Sequence, residues 1–315
     1  MVCLARSKGG VLSKPVDQPN QGAVHKDIVD FTSTSPWSKG WSQFSSQRLV
    51  FISLLLLMMI AVVVVFGPML SCYDTASTNF ELILSPPSLS NGHWLGTDSL
   101  GRDLYVRVLK GGQISLMVGL VATVVTIGIG VVYGTIAGYF GGRVDGLMMR
   151  LVDVLYAVPF MFFVILLMVV FGRNLILIFV AIGAVNWLDM ARIVRGQTLS
   201  IKNQDFIAAA KVCGLSEWAI IRHHIIPNLL GVVVVYATLT IPQVILIESF
   251  ISFLGLGVQE PATSWGALVN DGMREMHRAP WVLIVPAVML SITVFCLNII
   301  GDGLRDLFDI RQANV

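Results

Sequence analysis

Long apolar runs alternate with short polar stretches along the chain. Six runs carry enough apolar residues to cross a bilayer, which takes about 20 residues per helix. They lie at about 49–70, 114–138, 151–171, 175–191, 230–256 and 281–301. The fourth is short, and its far end can extend into the segment that follows. Between the fourth and fifth runs the pattern changes to DFIAAAKVCGLSEWAIIRHHIIPN, residues 205–228. Ala208, Ala209, Ala210 and Lys211 are good helix formers. Gly214 fits the position just past a helix end, where a left-handed backbone is needed. Ser216 caps a second helix, and Glu217 sits in its first turn at the positive end of the dipole. Apolar residues follow at Trp218, Ile221, Ile225 and Ile226. Pro227 is accepted where the next span opens, because a first-turn residue needs no N–H. The pattern predicts helix, bend, helix, with one apolar face that lipid does not explain. Such a face suits a groove on another protein or packing on the chain's own bundle.

Composition sharpens the membrane reading. Of the 315 residues, 55% are hydrophobic and only 13% charged, against about 25% charged in a soluble domain. The net charge of +2 says little about partners, but the placement of the charges says more. Outside the six runs, 15 Lys and Arg residues fall on the N-terminal tail, the 139–150 and 192–229 loops and the C-terminal tail, against 6 on the alternate loops. The positive-inside rule then puts both termini and the 192–229 loop in the cytoplasm. Residues 1–47 are polar and Ser/Gly/Pro-rich, with no cleavable signal peptide visible. Residues before about 30 read as disordered. Trp37, Trp41, Phe44 and Arg48 have the spacing of a short interfacial helix, or are chance aromatics in a leader. The expected organisation is a tail at 1–47, a membrane domain at 48–301 and a tail at 302–315.

Few residues suggest chemistry. Cys3, Cys72, Cys213 and Cys296 are scattered, which argues against a disulfide frame or a metal site. A phosphate-binding P-loop needs Gly-Lys followed by Ser or Thr, and no Gly-Lys dipeptide occurs. No HExxH or GxSxG is present, so no catalytic residue is assigned. In GTDSLGRD, residues 96–103, Asp98 and Arg102 are spaced to pair on one turn. Glu248 lies among Ile, Leu and Phe inside the fifth run, where an ionisable group is costly and faces a bundle interior or a wet cavity. Pro242 and Pro159 are expected to kink their helices. Asp153 and Asp189 read as helix-end residues. Gly130, Gly134 and Gly138 have the small-xxx-small spacing that lets helices approach closely. His223 and His224 are adjacent, so their side chains diverge and face solvent or a partner. WGALVNDG, residues 265–272, reads as a re-entrant turn or as a plain surface loop.

The 205–228 stretch resembles the cytoplasmic loop of ABC importer permeases, whose pattern is Glu-Ala-Ala, three residues, Gly, nine residues, then Ile-x-Leu-Pro. Ala209, Ala210, Gly214, Ile226 and Pro227 fall on that register; Ala208 stands in place of Glu and His224 in place of Ile. HWLGTDSLGRDLYVRVLKGGQISLMVG (93–119), SFLGLGVQEPATSWGALVNDG (252–272) and GDGLRDLFDIR (301–311) resemble the C-type permease subunit of oligopeptide and dipeptide importers. The resemblance covers about 45–311. It implies an all-α polytopic membrane protein with six transmembrane helices, of the type I ABC importer kind. It also implies a heterodimer with a second related permease, two cytosolic ATPase subunits that bind ATP and Mg, an external peptide-binding protein and a peptide substrate. Nickel or another small solute stays open as cargo. Nothing implies a cofactor or metal in this chain, or nucleic acid; beyond those partners it touches membrane lipid. The residues expected to couple to the ATPases are Ala209, Ala210, Gly214, Leu215, Trp218, Ile221 and Pro227. Those expected on the translocation path or gate are Glu248, Pro242, Asp98 and Arg102. Glu248 would meet a peptide amino group, or pair with the partner permease. Asp98 and Arg102 would form a gate or docking surface, or only a structural turn.

Overall fold

The computed structural model describes residues 48–89, 91–171 and 175–313. Helix α1 spans Arg48–Phe66 and ends in a tight turn, Gly67–Leu70, opened by Pro68. An irregular segment leads to α2, Leu104–Phe140, whose first turn is capped by the Asp103 carboxylate accepting from the Val106 N–H at 2.9 Å. Then come α3, Gly142–Tyr156, α4, Phe160–Phe171, and α5, Leu175–Lys202. Two short helices follow, α6, Asp205–Val212, and α7, Glu217–Ile220. A wide π turn, Ile221–Ile225, runs into α8, Ile226–Phe253. The chain ends with α9, Trp265–Glu275, and α10, Pro280–Ala313. The helix therefore continues through most of the segment expected as a C-terminal tail. The N-terminal tail and its proposed interfacial helix lie outside the described residues.

Four helical stretches are long and apolar enough to span a bilayer: Arg48–Leu70, Leu104–Phe140, Glu217–Phe253 and Pro280–Leu307. They match four of the six expected spans. The expected span at 151–171 falls on α3 and α4, which together are apolar enough but bend by 77° between them. Pro159 sits at that bend, where it removes a backbone donor. The expected span at 175–191 falls within α5, whose second half carries Asp189, Arg192 and Arg195.

Packing shows how the chain threads. Gly130 of α2 lies against Trp187 and Met190 of α5, Gly134 against Ala191 and Val194, and Gly138 against Arg195 and Thr198. The contact numbers rise together, so α2 and α5 run parallel and the chain returns through α3 and α4 between them. That is compatible with six crossings. The contact is close enough that a methyl on Gly134 would fall 2.4 Å from the Ala191 carbonyl oxygen. Close backbone approach is what holds helices together where lipid offers no hydrophobic drive. Gly119 lies against Ile241 and Ile245 of α8, and Ser115 bonds Glu248, so α8 runs antiparallel to α2. Gly67 lies against Leu109, and Val50 against Gly303 of α10. The start of α1 and the last part of α10 thus share the end of the bundle where α2 finishes.

Helix α9 wedges into the opposite end. Ser264 caps it, accepting from Ala267 at 3.3 Å. The Trp265 indole N–H donates to the Val108 carbonyl at 2.9 Å, and its backbone N–H to Ser115 Oγ at 3.2 Å. Gly272 meets the Leu283 backbone. The WGALVNDG stretch is a packed helix rather than a surface loop.

Candidate functional site

The 205–225 segment is anchored on one face and bare on the other. Ile207, Ala210, Ile220, Ile221 and Ile225 are buried with Tyr139 of α2 and Val194 and Ile201 of α5. Gly214 adopts φ +78° between α6 and α7. The Ser216 hydroxyl accepts from the Ala219 N–H at 3.3 Å, and Pro227 sits in the first turn of α8. Local rules alone therefore explain helix, bend and helix. Ala209 and Pro227 are exposed. Val212, Leu215 and Trp218 are 89%, 38% and 62% exposed. The Trp218 ring approaches Phe140 at the end of α2 edge-on, 6.1 Å between centroids.

Ile221 corrects the sequence reading. It was placed on the same outward face as Trp218, yet it is buried. The π turn adds a residue to the local period, so Ile220, Ile221, Ile225 and Leu229 all face the core. His223 points outward and bonds Ala219 O at 3.1 Å, while His224 approaches the Phe206 ring. They diverge, and no cluster of metal-ligating residues occurs among the described residues.

At the opposite end, 93–107 forms a buried ionic lattice. Arg102 Nε reaches Asp98 Oδ2 at 2.7 Å, and Arg107 bonds the same oxygen. Arg102 also reaches Glu260 at 2.8 Å, and Arg107 approaches Asp271 at 3.6 Å. His93 Nδ1 meets Asp103 Oδ2 at 2.8 Å under a stacked Tyr73 ring. Burial pushes the Asp98 carboxyl up, but the Arg107 charge and the bonds from Arg102 outweigh it and hold it below its usual range. The hydrogen bond from Arg102 likewise holds Glu260 low against its burial. Burial raises Asp271, with Arg107 offsetting part of it. Asp98 and Arg102 are buried. Of the two readings of this pair, gate or structural turn, its burial favours the turn: the pair is internal and braces the loop before α2.

Glu248 is enclosed too. It is 0% exposed. Ser252 Oγ donates to it at 2.6 Å and Ser115 Oγ at 3.1 Å. Ser115 also takes the Trp265 N–H, so the carboxylate links α2, α8 and the start of α9. A group expected to meet a peptide or a partner subunit is here satisfied by hydroxyls of its own chain. Pro242 is buried as well, and α8 runs through it unbroken.

One group of exposed polar side chains at span depth lies elsewhere. A cavity of about 270 Å³ opens between α5 and α8, with Asn186 and Asp189 on one wall and Tyr236, Thr240 and Gln243 on the other. Asp189 was read as a helix-end residue because the fourth run seemed to stop at 191. Helix α5 continues to Lys202, which puts Asp189 mid-helix. The signal that was missed is neutral: Tyr236, Thr240 and Gln243 recur at i, i+4 and i+7, one face of a helix.

The comparisons with known proteins settle the class. The family described as "Binding-protein-dependent transport system inner membrane component" matches residues 130–314. The chain belongs to that family. A second match, "N-terminal TM domain of oligopeptide transport permease C", covers residues 35–87. The chain is 55% identical over 281 residues to the oligopeptide transport system permease protein OppC of Escherichia coli (strain K12), covering 89% of this chain and 93% of that one. It is 43% identical over 284 residues to the dipeptide transport system permease protein DppC of Bacillus subtilis (strain 168), with 90% and 88% covered. It is 38% identical over 276 residues to the glutathione transport system permease protein GsiD of Escherichia coli O6:K15:H31 (strain 536 / UPEC), with 87% and 90% covered. This family member is thus a multi-pass inner-membrane component of a transport system. The 130–314 match takes in both the 205–225 segment and the α5–α8 groove.

Proposed function

We propose that this chain is one of two related permease subunits in an ATP-driven importer of oligopeptides or dipeptides. Its 205–227 segment faces the cytoplasm and docks on separate ATPase subunits, which bind the ATP and Mg. An external binding protein delivers the peptide. The observation that carries this reading is the Val212, Leu215 and Trp218 face. It is bare, while the other side of the same segment is fixed to α2 and α5. A surface of this kind is built for a protein groove, since water gains nothing from it.

The fixed side supplies the mechanics. When the ATPases close, a force on Trp218 is delivered through Phe140 to the end of α2, and through the Ile207, Ile220 and Ile221 cluster to α5. Helices α2 and α5 are locked by their glycine contacts and would rotate as one. The Lys and Arg count of 15 against 6 supports this orientation. Two of the six, Arg102 and Arg107, are buried in ion pairs, which widens the imbalance at the surface. The peptide cargo is supported by relatives named for oligopeptide, dipeptide and glutathione transport.

The test is ATP hydrolysis by a complex purified through a tag on this chain from membranes that express its genomic neighbours. ATPase subunits should copurify, and peptide-loaded binding protein should raise hydrolysis. A chain that purifies alone and transports in liposomes under an ion gradient would overturn the reading.

A further inference from the structure

We propose that the groove between α5 and α8 is a peptide-binding station on the translocation path, where Asp189 takes an N-terminal ammonium and Asn186 and Gln243 take main-chain amides. The proposal deepens the importer reading and rests on it.

Depth comes first. Gly119 of α2 packs on Ile241 and Ile245 of α8, and Gly130 of α2 packs on Trp187 and Met190 of α5. The groove is therefore level with the stretch of α2 between these glycines, the middle of its apolar length. Hydrocarbon at that depth cannot satisfy polar groups. Yet Asp189, Tyr236 and Gln243 are exposed there, and Asn186 and Thr240 are half-buried. An exposed carboxylate at membrane depth marks a wet cavity or a polar ligand.

The groups left over define the ligand. Asn186 donates to Ile182 O at 2.9 Å, and Thr240 donates to Tyr236 O at 2.7 Å. Each keeps an oxygen able to accept from the groove. Among the described residues Gln243 has no hydrogen-bond partner, so its amide offers both a donor and an acceptor. Tyr156 donates to Asp189, but among the described residues no cation pairs with that carboxylate. The nearby Arg192 is committed to Asp153 at 2.6 Å and to the face of Tyr156. Neutral amides with one carboxylate and no cation suit a positively charged end followed by peptide bonds. They would read no side chain, which fits passage of varied peptides. The concavity holds about 270 Å³, just below the usual range for ligand pockets.

The experiment is thiol accessibility in the solubilised complex, without binding protein. Gln243→Cys and, separately, Thr240→Cys are treated with a charged methanethiosulfonate, and the label is read by peptide mass spectrometry so that the native cysteines stay. Val234→Cys, exposed on the far face of α8, is the lipid-side control. Both groove thiols should react and Val234→Cys should not. Pentaalanine should slow the groove reaction, and N-acetyl-pentaalanine should need about tenfold more to match it, the effect of one charged hydrogen bond. Adding Asp189→Asn should abolish the difference between the two peptides. Groove thiols as inert as Val234→Cys would overturn the proposal, and so would labelling that neither peptide slows. Labelling needs no ATPase, so failure of the importer reading shows separately, as a complex without ATPase subunits.

Discussion

The two ends of the bundle solve opposite problems. At 93–107 the charges are inside: Asp98, Arg102 and Arg107 are buried and paired with one another. At 205–225 the apolar groups are outside: Val212, Leu215 and Trp218 are exposed while the charges around them are solvated. The first region is complete in this chain, and every costly group has its partner here. The second is complete only on its inner side. Burial of charge thus marks a brace, and under the proposed function the exposed Trp218 surface is a joint. Removing a group from the brace should cost stability, and removing one from the joint should cost assembly.

The largest effect is expected at Asp98. Asp98→Asn leaves two buried guanidinium groups short of their shared anion, and breaking a buried pair from one side costs about 3–5 kcal/mol. Thermal denaturation of the solubilised complex checks it, and a loss under about 1 kcal/mol would remove Asp98 from the brace. The same lattice fixes a pH response. Asp98 and Glu260 are held below their ordinary range, so both stabilise the fold at neutral pH. That contribution fades as pH falls through their lowered values. Asp271 has the opposite sign: its raised value makes the charged form a liability at neutral pH that acid relieves. Melting temperature followed into acid should fall less steeply in Asp98→Asn than in the parent, and Asp271→Asn should gain stability at neutral pH.

The joint is sharpened by two residues three positions apart. Ile221→Ala opens a hole in the cluster around Tyr139 and Ile201, and an Ile truncated to Ala in a core costs about 2–5 kcal/mol. Trp218→Ala opens no hole. Its expected cost is about 2 kcal/mol of subunit association, the size of an aromatic hot spot, or roughly 30-fold in affinity. The melting temperature of the isolated permease should drop for Ile221→Ala and hold for Trp218→Ala. ATPase copurification should drop for Trp218→Ala. Equal melting losses would mean that Trp218 is core after all.

That pair also shows where sequence reasoning ran short. The caps and turns were legible because each depends on a residue and its immediate neighbours: Gly214, Ser216, Pro227 and Pro159 stand where local rules put them. The glycine stripe of α2 was legible because close approach leaves a spacing signature. Ile221 was not, because a π turn shifts the face of every residue after it and no local residue announces it. Glu248 was not placed, for a different reason. A charge in an apolar run says that a partner exists, not whether it lies in the same chain. The serines around Glu248 come from α2 and from α8 itself, and the α2 member is 133 residues away in sequence. The groove was overlooked because neutral amides and hydroxyls stand out less than charges, although their helical spacing was there to read.

The smallest prediction separates backbone strain from packing. Gly214 and Gly196 both have open space where a Cβ would go, with nothing within 4 Å. They differ in conformation: Gly214 has φ +78°, while Gly196 sits inside α5. Gly214→Ala forces an L residue into the left-handed region and should cost about 1 kcal/mol. Gly196→Ala replaces a poor helix former with the best one and should gain about 0.5–1 kcal/mol. The two shifts in melting temperature should therefore have opposite signs. Peptide-stimulated ATP hydrolysis should fall in Gly214→Ala only so far as the bend is disturbed. Gly214→Val, β-branched and more strained, should lower both readouts further. If Gly214→Ala and Gly196→Ala shifted the melting temperature alike, the turn between α6 and α7 would not depend on its left-handed residue, and the joint would be held by its buried isoleucines alone.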